Sequence, residues 1–211
     1  MKKSLCLVIL LALPIYSMLA DSKIILKSGD VSIFSEAAKA IVVFDYSKAK
    51  IEGKETSLED YIEQKGPKYE LKWDQAQEMS HKDFVKRFNK KNTGLQLYMD
   101  STKESKYKIV ITVRTIDMGN SAKSFIPVGS KTYGGTTLFG RIYVQDLKGN
   151  NLCELRFIDI QGLGAPALQA RLLFAYQQLN STLQKFLKKM KSKNKEIEEE
   201  DDEEDSNEDE E

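Results

Sequence analysis

Three strand-like runs in the second half of the chain constrain its fold more than any other feature. Tyr107–Ile116, Thr136–Gln145 and Leu152–Ile160 are rich in Ile, Val, Phe and Tyr, the side chains that pack well on a pleated surface. Asp146-Leu147-Lys148-Gly149-Asn150-Asn151 separates the last two. Asp, Gly and Asn tolerate the backbone angles of a tight turn, so these two strands should be antiparallel neighbours. Leu95, Leu97 and Met99 alternate with polar residues and predict a further strand. Lys39–Ile51 contains Ile41-Val42-Val43-Phe44, apolar on both faces, which predicts a central strand.

Helical signals fill the gaps. Ser57-Leu58-Glu59-Asp60 has capping-box spacing and predicts a helix from Leu58 to about Lys65, ended by Gly66-Pro67. Ser80-His81-Lys82-Asp83 repeats that spacing, so Tyr69–Lys91 reads equally as one long helix or two abutting ones. A last helix starts near Pro166, with Leu168, Leu172, Tyr176, Leu179, Leu183, Phe186 and Met190 on one face. The order is strand, helices, four strands, helix. It predicts a single α/β (α+β) domain over residues 21–190: a mixed sheet of about five strands with helices packed against it. The first strand should lie parallel to the one that follows the helices, through a right-handed crossover.

Charge divides the 211 residues unevenly. Formal charge is +0, with 32 Lys and Arg against 32 Asp and Glu. Thirteen acids fall in Glu196–Glu211, so residues 21–195 hold 30 basic and 19 acidic groups, a net +11. A run of like charge with one apolar residue, Ile197, predicts disorder for the lysine-then-acidic segment 191–211. At the other end, Lys2 and Lys3 precede an apolar run from Leu5 to Ile15 and a stretch ending in Ala20. This is the order of a signal peptide over residues 1–20, cleaved after Ala20. Cys6 lies too early for a lipid anchor. The mature chain is expected to be exported, to the periplasm, the outer-membrane surface or the exterior, with no stable membrane span.

Few motifs invite chemistry. Gly162-Leu163-Gly164-Ala165-Pro166-Ala167 fits G-x-G-x-x-A after a strand and before a helix. Dinucleotide binding also needs a following parallel strand, and the helix runs instead into lysines. The glycines are read as easing a tight turn. His81, the one histidine, is predicted to be an exposed helix residue beside Lys82 and Lys86. Tyr133-Gly134-Gly135-Thr136-Thr137 lacks the lysine of a phosphate-binding loop. Trp73 reads as core, and Cys153, alone after cleavage, as a buried inert thiol. No catalytic set, metal site or cofactor is implied. Asp100-Ser101-Thr102 resembles the O-glycosylation acceptor of exported Bacteroidetes proteins, which marks Ser101 as a modification candidate.

Ordered short blocks carry a wider resemblance. Leu26-Lys27-Ser28-Gly29-Asp30-Val31-Ser32-Ile33, Ile41-Val42-Val43-Phe44-Asp45-Tyr46-Ser47, Glu59-Asp60-Tyr61-Ile62, Lys72-Trp73, Phe88-Asn89 and Tyr107-Lys108-Ile109-Val110 follow in sequence. The chain is similar to a family of exported proteins of unknown function from Bacteroidetes. It departs from that family around Gly119–Ser130 and in the acidic tail, and the resemblance implies no activity and no site residues. Three functional readings follow. The first is a non-catalytic envelope binding or assembly protein with an envelope protein or a polyanion as partner. The second is a polyanion-binding protein with an autoinhibitory acidic tail, nucleic acid being an unlikely partner in vivo. The third is a hydrolase using only carboxylates, for which Asp45, Asp100, Asp117 and Asp159 are candidates.

Overall fold

A computed structural model describes residues 22–101, 103–119, 127–128, 131–132 and 134–205. In chain order its elements are β1 (Lys23–Gly29), β2 (Lys39–Asp45), β3 (Lys50–Ile51), α1 (Leu58–Lys65), α2 (Pro67–Lys91), β4 (Gln96–Tyr98) and β5 (Tyr107–Asp117). Then come β6 (Pro127–Val128), β7 (Lys131–Thr132), β8 (Thr137–Asp146), β9 (Asn151–Gln161) and α3 (Leu168–Asp205). The signal segment with its cleavage after Ala20, and residues 206–211, lie outside the described residues.

The main sheet is mixed and seven-stranded, in the order β1-β9-β8-β5-β2-β4, with β3 also pairing β5. The hairpin forms where its turn chemistry places it: Asp146 Oδ1 accepts from the backbone N–H of Lys148 and Asn150, and Gly149 has φ +89°. β2 runs parallel to both β4 and β5, as a strand returning through helices must. Two strands exceed the five expected. β1 pairs antiparallel with β9; its Lys-Ile-Ile-Leu-Lys run is too short and too charged to announce itself. β3 has two residues, and tertiary pairing with Thr115 and Ile116 creates it.

The helices gather on one side. α1 begins on Ser57, whose Oγ accepts from the Asp60 N–H at 3.0 Å. Gly66 and Pro67 end it and open α2, which is continuous to Lys91. Ser80 is therefore mid-helix and caps nothing; its hydroxyl donates back to the Ala76 carbonyl at 2.6 Å. α3 lies along α2 and packs on β9 and β1, burying Leu168, Leu172, Tyr176, Leu179 and Leu183. Its backbone stays helical through Asp205, ten residues into the acidic run for which the sequence predicts disorder. Lys and Glu are good helix formers, and this propensity carries the helix past Lys195.

Gly162 marks a close approach between the sheet and α3. A Cβ there would sit 2.3 Å from the Ala175 backbone N of α3. The buried Arg171 then clamps the turn, donating from Nη1 to the carbonyls of Ala165 (2.8 Å) and Pro166 (2.9 Å) and from Nε to that of Met118 (3.1 Å). The glycine motif is a packing and clamping device, and no strand follows α3 among the described residues.

Candidate functional site: an arginine cleft on the uncovered sheet face

Alternation sends one set of side chains to the helices and the other to the opposite face. Ala40, Val42, Ile109, Ile111, Ile142, Val144, Cys153 and Leu155 face the helices and are buried. No helix among the described residues covers the opposite face. There Ile25 is 37% and Val43 38% exposed.

Register writes one row across this open face. Ile25 lies opposite Arg156, Arg156 opposite Arg141, Arg141 opposite Thr112, and Thr112 opposite Asp45. Arg141 and Arg156 are thus a directly opposed pair of like charge, an arrangement that destabilises a sheet. Arg114 joins them at an irregularity in β5 between Val113 and Thr115. The three arginines line a cleft of about 530 Å³ with Glu52, Phe139 and the backbone at Gly140. Arg141 is answered by Glu154 at 2.7 Å. Arg156 has no salt-bridge partner among the described residues.

Gly140 forms the floor by necessity. A Cβ on it would lie 2.1 Å from the Thr112 carbonyl O and 2.4 Å from Phe157 Cζ. Only glycine lets the Phe157 ring and β5 close together beneath the arginines.

The four aspartates of the hydrolase reading do not gather into one group. Ser47 donates its backbone N–H to Asp45 at 2.9 Å, and Thr112 its hydroxyl at 3.3 Å. Hydrogen bonding from Ser47, then from Thr112, with the Arg114 charge, holds the Asp45 carboxyl below the usual range. Asp100 lies in the turn after β4 beside the exposed Ser101. Asp117 and Asp159 do converge, on a residue the sequence reading did not single out. Partial desolvation first, then those two charges, raise the Glu52 carboxyl above its ordinary pKa. Among the described residues, no group of three or more His, Cys, Asp or Glu is arranged to hold a metal ion.

His81 corrects the expectation of an exposed helix histidine. It is 8% exposed, with its ring stacked flat on Phe44 at 3.8 Å between centroids. Tyr46 Oη meets His81 Nε2 at 2.9 Å and makes a short hydrogen bond with the Tyr176 hydroxyl. Burial pushes the imidazole pKa down to about 3, so the ring is neutral. Lys82 and Lys86 misled because they occupy another face of α2. Spacing of three and seven to the buried Phe84 and Phe88 was the signal that places His81 inside. Trp73 and Cys153 are buried as expected, and burial raises the Cys153 thiol to about 11.

These features define a class: an α+β protein with helices on one sheet face and a basic cleft on the other. No known protein family matches the chain, and no curated protein does either. Among solved structures, the PelC dodecamer from Paraburkholderia phytofirmans aligns at 9% identity, covering 75% of this chain and 96% of that one, with a TM-score of 0.39. A point variant of the same dodecamer aligns at 9% identity, covering 76% and 95%, with a TM-score of 0.37.

Proposed function

We propose that the protein is an exported, non-catalytic binding protein whose open sheet face takes an anionic ligand, an acidic polysaccharide being the class that fits. The direct opposition of Arg141 and Arg156, with Arg114 alongside, carries this reading. Like charges on facing strands cost stability unless something neutralises them. Guanidinium forks match carboxylate and sulfate oxygens in pairs, and the cleft is shallow and open to an extended chain. Phe139 and Tyr143 on the same face supply the flat apolar surface that sugar rings rest on. Export rests on the signal-like order of Lys2 to Ala20. No helix among the described residues is long and apolar enough to cross a membrane.

The test is affinity for sulfated and carboxylated oligosaccharides in the double variant Arg114→Gln/Arg156→Gln. Affinity should fall about tenfold or more, since each charged contact is worth roughly 1 kcal/mol. A control that neutralises Lys86 and Lys90 on α2 should change it little. Equal loss in the two variants means that bulk charge, and not the cleft, does the binding.

A further inference from the structure

The arginine cleft is not uniformly basic. Glu52 lines it together with the three arginines. Its backbone N–H donates to the Ile116 carbonyl of β5 at 3.0 Å, which fixes the residue beside that strand. The Glu52 carboxylate makes no salt bridge among the described residues. What reaches it instead is the like charge of Asp117 and Asp159.

The strands give these charges an order. Arg114 and Asp117 are three residues apart on β5, and Arg156 and Asp159 are three apart on β9. A strand rises about 3.3 Å per residue, so each step from cation to anion covers about 10 Å. Alternation alone would send residues three apart to opposite faces. The pairing irregularities, between Val113 and Thr115 on β5 and opposite Leu138 and Gly140 on β9, interrupt that alternation. Ile116 is buried toward the helices, so Asp117 shares the open side with Thr115, which lines the cleft. A ligand running along these strands meets the arginines first and the carboxylates about 10 Å further on.

We infer that Glu52 is a specificity-determining residue of the cleft: it favours a polysaccharide whose anionic sugars are separated by neutral ones, and disfavours chains charged on every unit. This inference rests on the reading of the cleft as a polysaccharide site and adds the charge spacing of the ligand. One carboxylate of such a chain pairs with the guanidinium groups of Arg114 and Arg156, whose forks match it. The neutral sugar beside it offers hydroxyls, and the Glu52 carboxylate, an acceptor only, accepts hydrogen bonds from them. A densely sulfated glycan instead brings a second anion against Glu52, with Asp117 and Asp159 close by. A single nucleic-acid strand does the same, with a phosphate about every 3.4 Å. Like charge set against like lets a binding surface reject a partner that its attractive groups would otherwise accept.

The experiment titrates the full chain calorimetrically at about 0.15 M salt, where remote charges are screened. The ligands are three hexasaccharides of rising charge density. Hyaluronan has a carboxylate on every second sugar, oligogalacturonate has one on every sugar, and heparin carries sulfates besides. In Glu52→Gln, affinity for the heparin hexasaccharide relative to hyaluronan should rise about threefold to fivefold, the range that one exposed charge pair allows. Oligogalacturonate should fall between the two. Asp117→Asn keeps an acceptor for the Gly119 N–H and should move the ratio the same way by about twofold or less. A ratio unchanged in Glu52→Gln, or an equal gain for all three ligands, overturns the inference and leaves the cleft reading intact. Binding of none of the three by the unsubstituted chain overturns the cleft reading, and the inference with it.

Discussion

The two faces of the sheet are written by alternate residues of the same strands, yet they solve opposite problems. Toward the helices, Ile111, Ile142 and Leu155 sit side by side across three strands and are essentially inaccessible. One residue along, Thr112, Arg141 and Arg156 form the matching row on the open side. The covered row gains from every neighbour it has, through burial of apolar surface. The open row sets two cations against each other. Glu154 answers Arg141, and the second cation, Arg156, leaves the open row with an electrostatic cost that the covered row does not carry.

The sharpest way to break this comparison is to put one carboxylate on each face. Leu179→Asp, on α3 in the buried layer, should cost about 3–5 kcal/mol, because the charge has no partner there. Ile25→Asp, on the open face beside Arg156, should stay within about 0.5 kcal/mol. Chemical denaturation measures both. Comparable losses would mean that something covers the open face too.

Acid should also separate the two sides. The folded-state pKa of His81 lies below its unfolded value, near 6.5, so the neutral ring favours the fold. That contribution is complete above about pH 6.5 and is lost as pH falls toward about 3, with a slope of up to about 1.4 kcal/mol per pH unit. Because the chain has one histidine, its imidazole proton resonances give an unambiguous readout. They should not titrate down to about pH 5; a midpoint near 6.5 would place the ring in water. Tyr46→Phe leaves Nε2 without its hydrogen-bond partner and should cost about 1–2 kcal/mol.

On the open face the sign reverses. The Glu52 carboxyl, raised above its ordinary pKa, takes up a proton early as pH falls and removes a negative charge from the rim of the arginine cleft. Retention of an acidic oligosaccharide should therefore rise modestly from neutral to mildly acid pH, and Glu52→Gln should flatten the profile. The smallest expected effect concerns the acids of the C-terminal segment. Truncation after Lys195 should raise retention on a sulfated-polysaccharide column slightly at low salt, since exposed pairs are worth only about 0–1 kcal/mol each and are screened. Unchanged retention would remove autoinhibition by the tail.

What the sequence made legible follows the range of the interactions. The Asp146–Asn150 turn, the Ser57 cap and the Leu168–Met190 face are local patterns, and all three were readable. The site was not: counting evenly outward from that turn puts Arg141 opposite Leu155, and only the register irregularity between Val144 and Gln145 brings it opposite Arg156. The third arginine was not readable, because its place depends on the irregularity at Val113–Thr115, which only the pairing with β8 creates. Nor was Glu52, carried to the cleft by a two-residue strand. His81 was misread because neighbouring charge was weighed above helical spacing.

Gly140 has a consequence for how such a protein can diverge. The arginines hang from the walls of the cleft, where exchange for lysine, glutamine or a neutral residue disturbs no packing beneath. The floor has no such freedom, since any Cβ at 140 meets the backbone oxygen of Thr112 as well as the Phe157 ring. Trimming Phe157 would relieve only one of those collisions. The charge of the cleft can therefore change by a few surface substitutions, while that single position stays fixed and keeps the scaffold recognisable.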